Sequence, residues 1–121
     1  MFGLFNNNKG GGKSWLTLDA VKQLDDILEE SFQHPVVLFK HSTRCSISAM
    51  AKSRLERESS AEDPVIYYLD LIAYRDVSNA IESRFGVRHE SPQVILLKDG
   101  KVVYHASHGA INIHDLKSYA A

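Results

Sequence analysis

Four short apolar runs do most to limit what this chain can become. Val36-Val37-Leu38-Phe39, Val65-Ile66-Tyr67-Tyr68-Leu69, Val94-Ile95-Leu96-Leu97 and Val102-Val103-Tyr104-His105 are each too short for a helix and rich in β-branched and aromatic residues. The continuous apolar run Val36 to Phe39 is the mark of a strand covered on both faces. The last two flank Lys98-Asp99-Gly100-Lys101, and Asp-Gly is a strong hairpin signal. Helical spacing fills the intervals. Ala20, Val21, Leu24, Ile27, Leu28 and Phe32 predict a first helix with Thr17 as N-cap and Asp19 in its first turn, stopped by Pro35. Ile47, Met50, Ala51 and Leu55 predict a second, starting at or near Cys45, with Lys52, Arg54, Glu56 and Arg57 solvated. Val77, Ala80, Ile81 and Phe85 predict a third, with Gly86 at the left-handed C′ position. Asn112 or a neighbour caps a short fourth through Leu116 and Tyr119.

The order is therefore α-β-α-β-α-β-β-α. Strands separated by helices are expected to pair in parallel and the final two antiparallel, giving an α/β fold with a four-stranded mixed sheet flanked by helices. The 121 residues suffice for one domain. Residues 1–13, which include the run NNNKGGGK, are expected to be a flexible leader, and 14–121 the domain.

Fourteen basic and fifteen acidic side chains are interleaved along the chain, so no basic stripe points to nucleic acid. No run approaches the roughly 20 apolar residues of a membrane span, and the first residues lack the basic segment and apolar core of a secretory signal. A cytoplasmic location is the expectation, where a lone cysteine stays reduced.

That single cysteine excludes an intramolecular disulfide and a two-cysteine redox centre. Cys45 falls just beyond the first long strand and at the head of the next helix, where open α/β sheets place reactive groups. Unpaired backbone N–H groups and the helix dipole favour the thiolate there, and Arg44 beside it, with Lys40 nearby, would add to the effect. Ser48 stands one helical turn on, completing a Cys-x-x-Ser motif, and its hydroxyl is a candidate to hydrogen-bond the sulfur or a backbone N–H. A free cysteine can equally be a small buried hydrophobe, but the polar flank Ser42-Thr43-Arg44 argues for partial exposure. Ser91-Pro92 precedes the third long strand. Proline at a strand start needs no function, whereas a cis peptide would turn the Ser91 backbone towards the cysteine to pair with an extended substrate.

A strand, Cys-x-x-Ser, helix, strand, helix, then Ser-Pro, strand, Asp-Gly and strand resembles the thioredoxin fold in its glutaredoxin-sized form. The segments Arg44-Cys45-Ser46-Ile47-Ser48 and Phe85 to Val94, continuing through Lys98-Asp99-Gly100 to His108, further resemble the monothiol bacilliredoxin family. The likeness runs from about Trp15 to Tyr119. Arg44 and Ser46 depart from the family's usual Thr-Cys-Pro-Ile-Ser, which restores an N–H at the helix start. The resemblance implies Cys45 as attacking thiol, Pro92 as a cis-proline that with Ser91 binds substrate, and Ser48 in the place of a resolving cysteine. It implies removal of a low-molecular-weight thiol such as bacillithiol from S-thiolated proteins, with that thiol as co-substrate, no bound cofactor, and a monomer or weak dimer in redox stress response. The competing expectation is a non-catalytic module that binds a partner at Pro92, with Cys45 a sensor or inert. Cluster binding between two subunits is a third, as known for monothiol glutaredoxins.

Among the six histidines, His41 with Cys45 and His105 with His108 have spacings that suit zinc, yet His105 and His108 differ in strand parity, so no metal site is expected. His41 is instead a candidate neighbour of the thiol. No third group orients a Cys-His hydrolase, Asp70 and Asp76 form no evident carboxylate pair, and the glycines at 10 to 12 lack the strand-to-helix context of a phosphate loop. Trp15, Tyr67 and Tyr68 read as core aromatics.

Overall fold

The computed structural model describes residues 15–60 and 63–121, and the expected leader lies outside them. The strands are β1 (Trp15–Thr17), β2 (Val36–His41), β3 (Val65–Asp70), β4 (Gln93–Lys98) and β5 (Lys101–Ser107). The helices are α1 (Gln23–Glu30), α2 (Ser46–Glu58), α3 (Arg75–Phe85) and α4 (Ile113–Ala120), with one 3₁₀ turn at His108–Ala110. They build one sheet in the order β1-β3-β2-β4-β5.

The α/β class and the mixed sheet are as expected, with one more strand. β1 pairs in parallel with β3, Trp15 opposite Ile66. Three residues carry too little pattern to announce a strand, and Thr17, expected as an N-cap, belongs to it. The turn into α1 is closed by Gln23 instead, whose Oε1 accepts from the Asp19 and Ala20 N–H groups at 2.8 Å.

The second difference is direction. β2 and β3 are parallel, but β4 runs antiparallel to β2 although α3 stands between β3 and β4. α3 spans about 16 Å, and the seven residues from Gly86 to Pro92 can reach about 23 Å when extended, far enough to bring the chain back. They do so: Ser78 in the first turns of α3 lies 3.4 Å from His89 through Oγ and Nδ1. Return along the helix puts Pro92 at the sheet end where β2 and β3 finish.

Both faces of the sheet are covered. Leu24 and Ile27 of α1 and Val77 and Ile81 of α3 pack on Val36, Leu38, Ile95 and Leu97. Ala51 and Leu55 of α2 and Leu116 of α4 pack on Val37, Phe39, Val94 and Leu96. Each such buried side chain contributes about 1.5–3 kcal/mol relative to exposure. The local signals hold where a backbone conformation dictated them. Asp99 and Gly100 take φ of 53° and 80° in the hairpin, Gly86 takes 70° at the end of α3, and Asn112 Oδ1 accepts the Asp115 N–H at 2.8 Å.

The inward face of α2 differs from the expected one. Ser48, Ala51 and Leu55 face the sheet, while Ile47 and Met50 are 54% and 66% exposed. Leu55 and the bonding of Ser48 set the helix rotation, and the larger apolar residues at 47 and 50 are left on the solvent side.

Candidate active site at the head of α2

Cys45 is the N-cap residue of α2. Its backbone is extended (φ −114°, ψ 123°) and its carbonyl accepts the Ala49 N–H at 3.0 Å. Among the described residues no side-chain cap bond is made here, and the half-buried Cys45 stands at the N-terminal, positive-dipole end of α2. The tight turn before it is held by the Cys45 N–H donating to the Ser42 carbonyl at 3.2 Å.

Ser48 is fully buried, and its hydroxyl is engaged away from the sulfur. Oγ lies 2.8 Å from His41 Nδ1 and accepts the Ser42 N–H at 3.0 Å, so of the two expected bonds the one to a backbone N–H is made and the one to Cys45 is not. His41 ends β2, with its carbonyl accepting the Leu71 N–H at 3.0 Å and its ring packed 5.5 Å from Tyr68 and 5.9 Å from Phe39. Burial, with the Lys52 charge in support, pushes the imidazole below its ordinary 6.5 against opposition from Asp70, the Ser48 main chain and Glu56. His41 is therefore neutral at pH 7.

Arg44 is exposed and enters none of the ion pairs among the described residues. Lys40 does not flank the thiol in the way its sequence position suggested. Strand alternation sends it to the opposite face of the sheet from His41, where it is 0% exposed and its Nζ has no hydrogen-bond partner among the described residues. Burial lowers it from 10.5 to about 8, with Glu82 opposing.

The Ser91–Pro92 peptide is cis. Lys40 pairs with Gln93, so Pro92 comes level with His41 at the sheet end from which the Cys45 turn departs. The Pro92 carbonyl accepts the His108 N–H at 3.0 Å, and Ser91 Oγ is buried with no hydrogen-bond partner among the described residues. The structure thus gathers Cys45, Ser48, Ser91 and Pro92 at one end of the sheet. It leaves the zinc-spaced histidines apart: His41 is taken by Ser48, and His108 lies 3.4 Å from Glu90 through Nδ1 and Oε1. Among the described residues no group of three or more His, Cys, Asp or Glu is placed to hold a metal ion. No described helix is long and apolar enough to cross a membrane.

The family model described as monothiol bacilliredoxin BrxC matches residues 16–116. The chain belongs to the monothiol bacilliredoxin family. A solved structure described as a candidate oxidoreductase with a thioredoxin fold is 31% identical, covering 94% of this chain and 100% of its own, with a TM-score of 0.80. A mutant thioredoxin from Halobacterium salinarum (20% identity, 96% and 97% coverage, TM-score 0.66) and a reduced Schistosoma mansoni thioredoxin pre-protein (16%, 90% and 100%, 0.71) share the fold. Bacilliredoxin membership and a sequence with one cysteine together support a monothiol oxidoreductase of thioredoxin fold.

Proposed function

We propose that this bacilliredoxin removes a low-molecular-weight thiol of the bacillithiol type from protein mixed disulfides, with Cys45 as nucleophile. The Cys45 thiolate attacks the small-thiol sulfur. The bond from that sulfur to the protein sulfur breaks, the protein thiolate leaves and takes a proton from water, and Cys45 holds the small thiol as its own mixed disulfide. A second small-thiol thiolate then attacks the small-thiol sulfur of that disulfide, releasing the oxidised small-thiol dimer and regenerating Cys45. The net exchange is one protein mixed disulfide and one small thiol for one protein thiol and one small-thiol disulfide.

One observation carries the reading. The chain's only cysteine is half-buried at the head of α2, and a buried serine occupies the position one turn on. The second sulfur must come from outside. Arg44 is an exposed positive charge beside the thiolate, and Ser91 and Pro92 form the wall against which the substrate segment lies. The reaction is set in the cytoplasm, in response to thiol oxidation, with the protein acting as a monomer or weak dimer.

The test supplies a protein mixed disulfide with bacillithiol, glutathione or cysteine and follows release of the protein thiol. Wild type should release in a manner dependent on the added thiol, fastest with the bacillithiol-type donor, and Cys45→Ala should fall to the uncatalysed rate. Equal release by wild type and Cys45→Ala would return the protein to the non-catalytic reading.

A further inference from the structure

The hydroxyl of Ser48 decides which proton His41 carries. Ser48 has no exposed surface, and the Ser42 N–H can only donate to its oxygen. Among the described residues the hydroxyl's own proton then has one partner at hydrogen-bond distance, His41 Nδ1 at 2.8 Å. A neutral imidazole protonated at Nδ1 would aim a second donor at the same oxygen and leave the buried hydroxyl proton without an acceptor. The satisfied arrangement runs Ser42 N–H to Ser48 Oγ–H to His41 Nδ1, with the ring proton on Nε2.

We propose that His41 is a positioning residue for thiol exchange: as the Nε2-protonated neutral ring it accepts the Ser48 hydroxyl proton and thereby fixes the turn that presents Cys45. This rests on the reading of Cys45 as the nucleophile. The relay joins three elements that must keep register for the sulfur to stay at the helix head. His41 is the last residue of β2, Ser42 begins the turn and accepts from the Cys45 N–H, and Ser48 lies on the inner face of α2. Serine at position 48 therefore has a task of its own and is more than a missing thiol.

Protonation of His41 makes Nδ1 a donor and reverses the bond. Ser48 Oγ then receives two donors, its own proton must find another acceptor, and the turn loosens. The groups facing the ring set when this occurs. α2 brings Lys52, which resists protonation, and Glu56, which favours it; β3 brings Asp70, which favours it, and the Tyr68 ring; the uncharged Pro92, just before β4, comes level with it. Burial outweighs the carboxylates, so reversal belongs to the acid side of the ordinary histidine range.

The test measures Cys45 alkylation by iodoacetamide from about pH 5 to 9, a span wide enough to include histidine titration. It also records the ¹⁵N shifts of the His41 ring. Wild type at neutral pH should show an unprotonated Nδ1 and a protonated Nε2, and its rate profile should carry an acid-side ionisation beyond that of the thiol. His41→Asn, which keeps an acceptor near Nδ1 and cannot titrate, should retain the neutral-pH rate within about twofold and lose that ionisation. Ser48→Ala and His41→Phe should each lower the rate about five- to tenfold, the scale expected from a misplaced nucleophile, and the double variant should lower it no further. A protonated Nδ1 at neutral pH, or profiles that superimpose for wild type and His41→Asn, would overturn the proposal. Should His41→Phe fail to fold, the ring shifts and His41→Asn still decide. Alkylation and ring shifts require no small-thiol substrate, so they fail independently of the release assay.

Discussion

Lys40 and His41 are consecutive residues at the end of the central strand, and their fates are opposite. On the α2 face His41 is neutral, ring-packed and bonded to Ser48, so the buried polar atoms given to that joint are satisfied. On the α1/α3 face Lys40 Nζ and Gln93 Oε1 are buried with no hydrogen-bond partner among the described residues. At His41 buried polarity fixes a geometry; at Lys40 it is carried at a cost. The joint lies on the side of the nucleophile. Precision has been placed where the sulfur must be held, and the stability lost next to it is tolerated by a core filled on both faces.

The largest expected effect breaks the satisfied face. Ser48→Ala strands the Ser42 N–H and His41 Nδ1 in the interior and should destabilise the fold by about 2–3 kcal/mol, in line with buried partners left unmade. Urea unfolding at pH 7 measures it, and a change within error would mean that the joint carries no strain-bearing role. The opposite sign is expected across the sheet. The gap between 10.5 and about 8 for Lys40 corresponds to about 3 kcal/mol. Between those values the unfolded chain binds more protons than the folded one. The penalty is therefore complete below pH 8 and fades as pH rises towards 10.5. Lys40→Met should accordingly raise stability by about 1–3 kcal/mol at pH 7, with the gain shrinking at alkaline pH. A loss of stability at pH 7 would show that Lys40 is held by a favourable partner. The smallest effect lies at the far pole of the sheet. Gly100→Ala demands φ of 80° from an L-residue and sets its Cβ against the Phe32 ring, at an expected loss of about 1–2 kcal/mol by thermal unfolding, with Cys45 alkylation unchanged. A change in alkylation there would deny the two ends their independence.

The same contrast explains what the sequence could announce. Asp99-Gly100, Gly86 and Asn112 state their roles locally, because each needs only a backbone angle or a cap that few residues supply. Cys45 at a strand-to-helix junction was equally legible, since the strand pattern stops at Phe39 and the helical one resumes at Ile47. The orientation of β4 was not, because it depends on whether seven residues after α3 turn or run back. Nor was the burial of Lys40 and His41. They read as the polar exit of an apolar run, and only the packing of distant elements over the two faces of the sheet encloses them. Ser48 illustrates the limit best: its position in the motif was plain, but its partner is His41, seven residues back and on another element.

The central claim is that one sulfur performs the first half of the exchange and waits for another. Intact-mass analysis of the protein after mixing with a bacillithiolated protein, with free small thiol removed, tests it directly. The expected result is one small-thiol adduct on Cys45 for each protein thiol released, with no turnover until small thiol is added. Release without an adduct, or Cys45 joined to the substrate protein as the stable product, would contradict it.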